Sequence, residues 1–478
     1  MNYRVIISLQ LILLFINGLS YGQDFLSTKI PQKEAIEDFD YLRSAIEQGH
    51  SALYWYRDSA DVAHRFDSLR NVITEDISNT NFHSLLKAAL ETFSCGHTTV
   101  NFPSSYTSMI DSVNKFIPLK VKLIKNDVFI VEDLSEQKIE AGSKLLSING
   151  VQIKQIVEEL KIKVPTDKGI YSKQIRSLDF FFSYYLTLYY GINDTYEIQY
   201  SSPFTPDTLT TSITALPGDG HVIRSGKEIY NSDFPIEFSL DKNQRIAYLT
   251  IKSFEPRYYK EMKINYNDTL ASIFKEIKEL KTQSLILDLR GNIGGSMVYG
   301  ENLFSFLIDK PSKYFKNALI KKAVADGNYE YSKTPRLIER FKKMYSITEY
   351  QDSYVLTKAD SVMPSLNQYT GKLYILANGL SFSSTACFIA QCKDKNNGVL
   401  IGEQPGGAYS GLSTSPAMNI ALPNTSYNLF MKATLINLAV QETEAHIKVD
   451  YEVLPTITDV VNGTDPEMRF ALKLISKK

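Results

Sequence analysis

A serine set where a strand-like run turns into a helix can serve as a nucleophile, and residues 373–390, LYILANGLSFSSTACFIA, carry that arrangement. LYILAN is a short apolar run of strand character, Gly379 interrupts it, and TACFIAQC resumes with helical spacing. A hydroxyl at such a junction projects from the sheet edge, and the amide groups that open the helix face whatever it attacks. Ser381, Ser383 and Ser384 are the hydroxyls on offer. The competing reading is structural, since serines that precede helices commonly cap them.

A second segment favours chemistry. Residues 284–296, SLILDLRGNIGGS, read as a buried strand ending in Asp288 and Arg290, followed by a glycine-rich turn. In open α/β sheets, ligands sit beyond the carboxyl ends of the strands, where this turn falls. Gly294 and Gly295 permit close backbone approach there. Their N–H groups, with the helix-start N–H of Ser384, are placed to hold a developing oxyanion. The order strand, DLRGNIGG, strand, SFSS, helix is far more specific than either segment alone.

With both segments in view, the chain resembles the tail-specific (carboxy-terminal-processing) serine peptidases, in the branch that includes the tricorn protease core. RIAYLTIKSF (245–254) is similar to the strand that opens that family's catalytic core, and VLIGEQPGG (399–407) to the strand and turn after its nucleophile. DYEVLPTITDVVNGTDPEMRFALKLI (450–475) is similar to its closing segment. Aligning SFSS with the family's T-F-S-A pattern implies Ser383 as nucleophile, with Ser381 as the alternative register. The chain departs from the pattern at Ala386, where the family usually has an acid. Ala408 stands where the Ser–Lys branch ends its G-E-x-T-x-G-K motif in the catalytic lysine, so that dyad is absent.

A buried serine hydroxyl still needs a proton acceptor near neutrality, and histidine is the default. Of six histidines, His64 and His83 read as solvated or capping, His50 as packed at a turn, and His221 as a loop residue. The resemblance implies His97, in SCGHTTV (94–100), because the tricorn-like branch carries its base in a similar D/G-x-HT motif. It also implies a late glutamate at the site. QETEAHIKVD (441–450) offers Glu442 and Glu444, of which Glu444 is favoured, although both also read as solvent-facing strand residues.

The elements that must position these groups divide into regions. MNYR, the apolar run 5–16 and Ser20-Tyr21-Gly22 form a signal-peptide pattern over 1–22, so an exported, periplasmic or extracellular protein beginning near Gln23 is expected. That run is shorter than the roughly 20 residues a membrane span needs. Residues 24–105 read as a helical region carrying His97, with Phe39, Leu42 and Ile46 on one face and Val62, Phe66 and Leu69 on another. Residues 112–216 are β-rich. Their segment KIEAGSKLLSINGVQI is similar to part of the PDZ module, which the family resemblance leads one to expect, although Asn149-Gly150 is also an ordinary hairpin turn. The resemblance implies that residues 228–478 form an α/β catalytic core of ClpP/crotonase-like type, and the charged stretch 310–370 inserted in it is expected to shape a substrate cleft.

Composition excludes little but is consistent. Lys+Arg 52 against Asp+Glu 53 gives a formal charge of −1, with no basic excess for nucleic acid. Cys387 and Cys392 lie five apart on a predicted helix, which sets their Cα atoms roughly 8–9 Å apart, beyond disulfide reach. Cys95 with His97 is too sparse for a zinc site, GNIGGS lacks the Walker lysine, and no cofactor is implied. Two functions follow: an exported serine peptidase acting on polypeptides, or a non-enzymatic binding protein on the same scaffold.

Overall fold

Apolar runs bounded by turn residues build the sheet that carries the nucleophile segment. Its strands, in spatial order, are Ile236–Asp241, Ile246–Ile251, Ser284–Asp288, Lys372–Ala377, Val399–Gly402 and Tyr451–Glu452. The first pair is antiparallel and every later pair parallel. A parallel sheet needs cover on both faces, which is why LILD reads as a continuous apolar run rather than an alternating one. Alternate side chains serve opposite faces. Leu285 and Leu287 pack with helices Tyr266–Glu279, Met297–Ser305 and Ser384–Asp394, while Ile286 meets helix Pro466–Ser476.

The computed structural model describes residues 24–203, 207–218, 234–358, 360–441 and 445–477. The signal-peptide pattern, His221, Glu442 and Glu444 lie outside the described residues. Among the described residues, no helix is long and apolar enough to cross a membrane.

A second sheet runs Ser346–Tyr350, Ser353–Thr357, Phe315–Lys321, Asn428–Leu438, Gly411–Ala421. The charged stretch 310–370 therefore supplies three of its strands. Thr99–Asn101 pairs antiparallel with the Asn428–Leu438 strand, with Thr99 opposite Phe430. Helices Gln32–Gly49, Ser59–Arg70 and Asn79–Glu91 start at local stop signals; Asp58 and Ser78 accept N–H groups from Asp61 and Asn81 as caps. Phe39, Phe66 and Leu86 from these helices share one core with Ile420, Leu429 and Met431 of the second sheet. The N-terminal helices are thus fused to the sheet rather than appended to it, and His97 is held by that fusion.

A third sheet, Leu119–Ile124, Asp127–Asp133, Lys144–Ile148, Thr195–Ser201 and Thr208–Thr214, occupies the β-rich region. Asn149 and Gly150 both take positive φ (48° and 77°) in its two-residue hairpin, as that dipeptide favours. The aromatic stretch 180–191 forms most of helix Tyr171–Tyr190, which packs on the Leu119–Ile124 strand.

Candidate active site

Strand Lys372–Ala377 gives way at Asn378 to a tight turn, and helix Ser384–Asp394 begins directly after Ser383. Ser383 sits at φ 58°, ψ −128°, a conformation that costs a non-glycine residue about 1–3 kcal/mol unless its surroundings impose it. Here they do. Ser381 Oγ donates to Leu289 O (2.8 Å) and accepts from Asn378 N–H (3.0 Å). Phe382 N–H donates to Asn292 O (3.1 Å), and Asn378 Oδ1 accepts from Gly291 N–H (3.0 Å). Ser381 therefore ties the nucleophile turn to the glycine-turn segment with its donor and braces its own turn with its acceptor, and it is Ser383 that meets a histidine.

The glycine turn is pressed against that serine. A Cβ on Gly294 would lie 2.7 Å from Ser383 Cβ, and one on Gly295 would lie 2.2 Å from the Phe254 carbonyl carbon. Both glycines have positive φ as well (100° and 138°), so no other residue fits either place. The expectation that Gly294 donates to an oxyanion is corrected: its N–H already donates to Asn292 Oδ1 at 3.0 Å. The N–H groups of Gly295 and Ser384 make no hydrogen bond among the described residues. Asp288 and Arg290, in contrast, are structural. Arg290 pairs with Asp288 (2.6 Å) and Asp465 (2.7 Å) and so locks the turn to the C-terminal helix.

His97 arrives from the opposite direction. Residues 94–98 form a turn, closed by Thr98 N–H on Cys95 O (3.2 Å), and the strand Thr99–Asn101 anchors it to the second sheet. His97 Nε2 stands 3.0 Å from Ser383 Oγ, and the imidazole stacks on Phe382 with centroids 4.5 Å apart. Burial holds its pKa well below the ordinary histidine value, and the nearby Lys432, Lys173 and His50 push it the same way. The ring is therefore neutral, with a lone pair for the serine proton when Nδ1 carries the hydrogen. Nδ1 itself is buried with no hydrogen-bond partner among the described residues.

Two further groups at this site escaped the sequence reading. Asp167 is buried and accepts from Gly96 N–H (2.8 Å) and Ala408 N–H (3.3 Å), clamping the His97 turn to the residue that replaces the family's lysine. Burial raises its pKa, against the pull of those N–H groups and of Lys173. Lys173 Nζ donates to Gly96 O (3.0 Å) and Pro165 O (2.7 Å) and lies 3.6 Å over the Phe382 ring. Burial lowers its pKa to about 8. The sequence signal for both was slight: TDKG reads only as a loop, and Lys173 as one polar residue of a helix.

The turn also brings Cys95 beside His97, because these residues are neither helix nor strand. Donor atoms of Cys95, His97 and Asp167 all lie within 4.8 Å of one another. A metal ion has three potential ligands there. Asp167, however, is already committed to two backbone N–H groups, and His97 Nε2 to the serine. All three cysteines are buried and free. Among the other histidines, His83 is not solvated: it stacks on Phe102 at 4.1 Å in the core, with Nε2 3.1 Å from Val100 O. His50 is likewise buried, its Nε2 2.8 Å from Thr98 Oγ1 beside the His97 turn.

Residues 245–453 match the sequence model of Peptidase family S41. No curated protein sequence matches the chain. Among solved structures, mature CPAF gives a TM-score of 0.63 at 16% identity, covering 93% of this chain and 96% of its own. Mature CPAF complexed with lactacystin gives 0.64 at 15% identity, covering 93% and 98%. At that identity the likeness is one of fold, and it runs well beyond the segment the family model covers. That segment holds the glycine turn, Ser383 and most of the sheet beneath them, and residues 245–453 are thereby a serine peptidase segment of family S41 type.

Proposed function

We propose that Ser383 is the nucleophile of this peptidase, His97 its general base, and the N–H groups of Gly295 and Ser384 its oxyanion donors. The observation that carries the reading is the 3.0 Å approach of His97 Nε2 to Ser383 Oγ. As Ser383 Oγ attacks the scissile carbonyl carbon of a polypeptide, its proton passes to Nε2 and the carbonyl electrons move onto oxygen. The resulting oxyanion is held by the two N–H groups. Its collapse breaks the C–N bond, and the departing amine takes the proton from His97. Water, deprotonated in turn by His97, then releases the acyl group as a carboxylate and restores the serine.

The retained nucleophile and base weigh against a non-enzymatic binding protein on this scaffold. Export is proposed from the apolar run at 5–16 and the small residues after it. N-terminal sequencing of the protein recovered outside the cytoplasm should then begin near Gln23; an intact Met1 terminus there would refute processing.

The pH–rate profile tests the base. His97 acts only when neutral, so activity is present above its pKa and lost as pH falls through it. Because burial depresses that pKa, the ascending limb of kcat/KM should lie below the usual histidine value of about 6.5. A limb near 8 would instead point to Lys173, whose pKa of about 8 makes it the rival base.

A further inference from the structure

Away from Ser383, helix Asn79–Glu91, strand Thr99–Asn101 and helix Tyr171–Tyr190 enclose a cavity of about 820 Å³. That is the size of a small-molecule site. Two lysines stand on its lining, Lys87 and Lys163, only 9% and 7% exposed. Lys87 Nζ donates to Thr99 Oγ1 (2.6 Å) and Lys163 O (3.0 Å); Lys163 Nζ donates to Ser84 Oγ (2.6 Å). An ammonium has three N–H donors, so each lysine keeps at least one unused. Neither makes an ion pair among the described residues. Glu159 influences Lys163 from a distance but is itself bonded to Tyr190 Oη, and Asp111 on the lining is solvent-exposed.

Two like charges buried side by side with no counter-charge are costly. The strain is visible in Lys87, whose pKa burial and Lys163 together lower to about 7. The lining is also aromatic, with Phe181, Tyr184, Tyr185 and Tyr189, and Lys163 Nζ lies 5.4 Å from the Tyr189 ring centroid. A pair of buried cations and a set of aromatic side chains lining one cavity are complementary to an amphipathic anion. We propose that this cavity binds a small organic carboxylate, its anionic head between Lys87 and Lys163 and its apolar or aromatic body against Phe181, Tyr184 and Tyr185. The site is separate from Ser383, and Thr99 connects them: it accepts from Lys87 and lies two residues after His97 on the same segment.

Calorimetric titration of the full chain with phenylbutyrate, and with its uncharged analogue phenylbutanamide, tests this independently of the peptidase reading. Phenylbutyrate should bind about tenfold more tightly than the amide, the worth of one hydrogen bond to a charged group. Lys87→Met and Lys163→Met should each remove that advantage while leaving the amide unaffected. Both variants delete a buried charge and should fold. Thr107→Trp, which narrows the cavity from another wall and keeps both lysines, should weaken both ligands. Equal affinity for acid and amide, acid binding unchanged in the lysine variants, or no binding of phenylbutyrate at millimolar concentration would each overturn the proposal.

Discussion

Ser383→Ala is expected to abolish peptide hydrolysis, with kcat falling by about three to six orders of magnitude, as when other serine nucleophiles are removed. Fold and melting temperature should change little. Ser383 Oγ contributes one contact, to His97, and the hydrogen bonds that hold the turn belong to Ser381, Phe382 and Asn378. A fluorophosphonate probe should label the native chain at Ser383 and leave the variant unlabelled. Ser381→Ala offers the contrast. It removes the ties to Leu289 and Asn378 and should lower stability together with activity. Full activity in Ser383→Ala, or a label mapped to Ser381, would overturn the assignment.

The second large effect is expected at His97 and at the carboxylate beside it. His97→Ala should cost about as much as loss of the serine, because the two act as a unit. Asp167→Asn should be milder, about 100-fold in kcat with KM little changed, the scale of a misaligned catalytic group. The reasoning starts from Nδ1. If Nε2 accepts the serine proton, Nδ1 carries a buried hydrogen that finds no partner among the described residues, a cost of about 1–3 kcal/mol. Asp167 places a carboxylate oxygen within 4.8 Å of a ring nitrogen of His97 and also holds Gly96 in place. A merely structural aspartate would leave the pH profile of the residual activity where it was. A positioning aspartate that stabilises the imidazolium should, when neutralised, move the ascending limb to still lower pH. Glu444→Gln is the companion measurement, since the family resemblance implies that glutamate at the same site. A limb that moves in Glu444→Gln and not in Asp167→Asn would transfer the role to Glu444.

The segment of the proposed nucleophile was legible in the sequence because it is local. Strand Lys372–Ala377, the turn and helix Ser384–Asp394 span one continuous segment, and the apolar run, Gly379 and the helical spacing announce it. The glycine turn was legible for the same reason, since positive φ and close approach leave glycine as the residue that fits. Which of its amides remains available was not. Asn292 captures the Gly294 N–H, and nothing in GNIGG distinguishes that donor from its neighbour.

The placement of the proposed base belongs to the tertiary structure. His97 lies 286 residues from Ser383 and was picked out through family resemblance, not by any local pattern. It reaches the serine because Thr99–Asn101 pairs with the Asn428–Leu438 strand and because the N-terminal helices bury Phe39, Phe66 and Leu86 against that sheet. Asp167 and Lys173 were unreadable for a related reason. Their partners are the backbone groups of Gly96, Ala408 and Pro165 and the ring of Phe382, and any residue contributes a backbone N–H or C=O. Spacing along a chain records what a helix, a strand or a turn requires of its own residues. The meeting of Ser383, His97 and Asp167 is set by burial and strand pairing between distant segments, which local spacing does not encode.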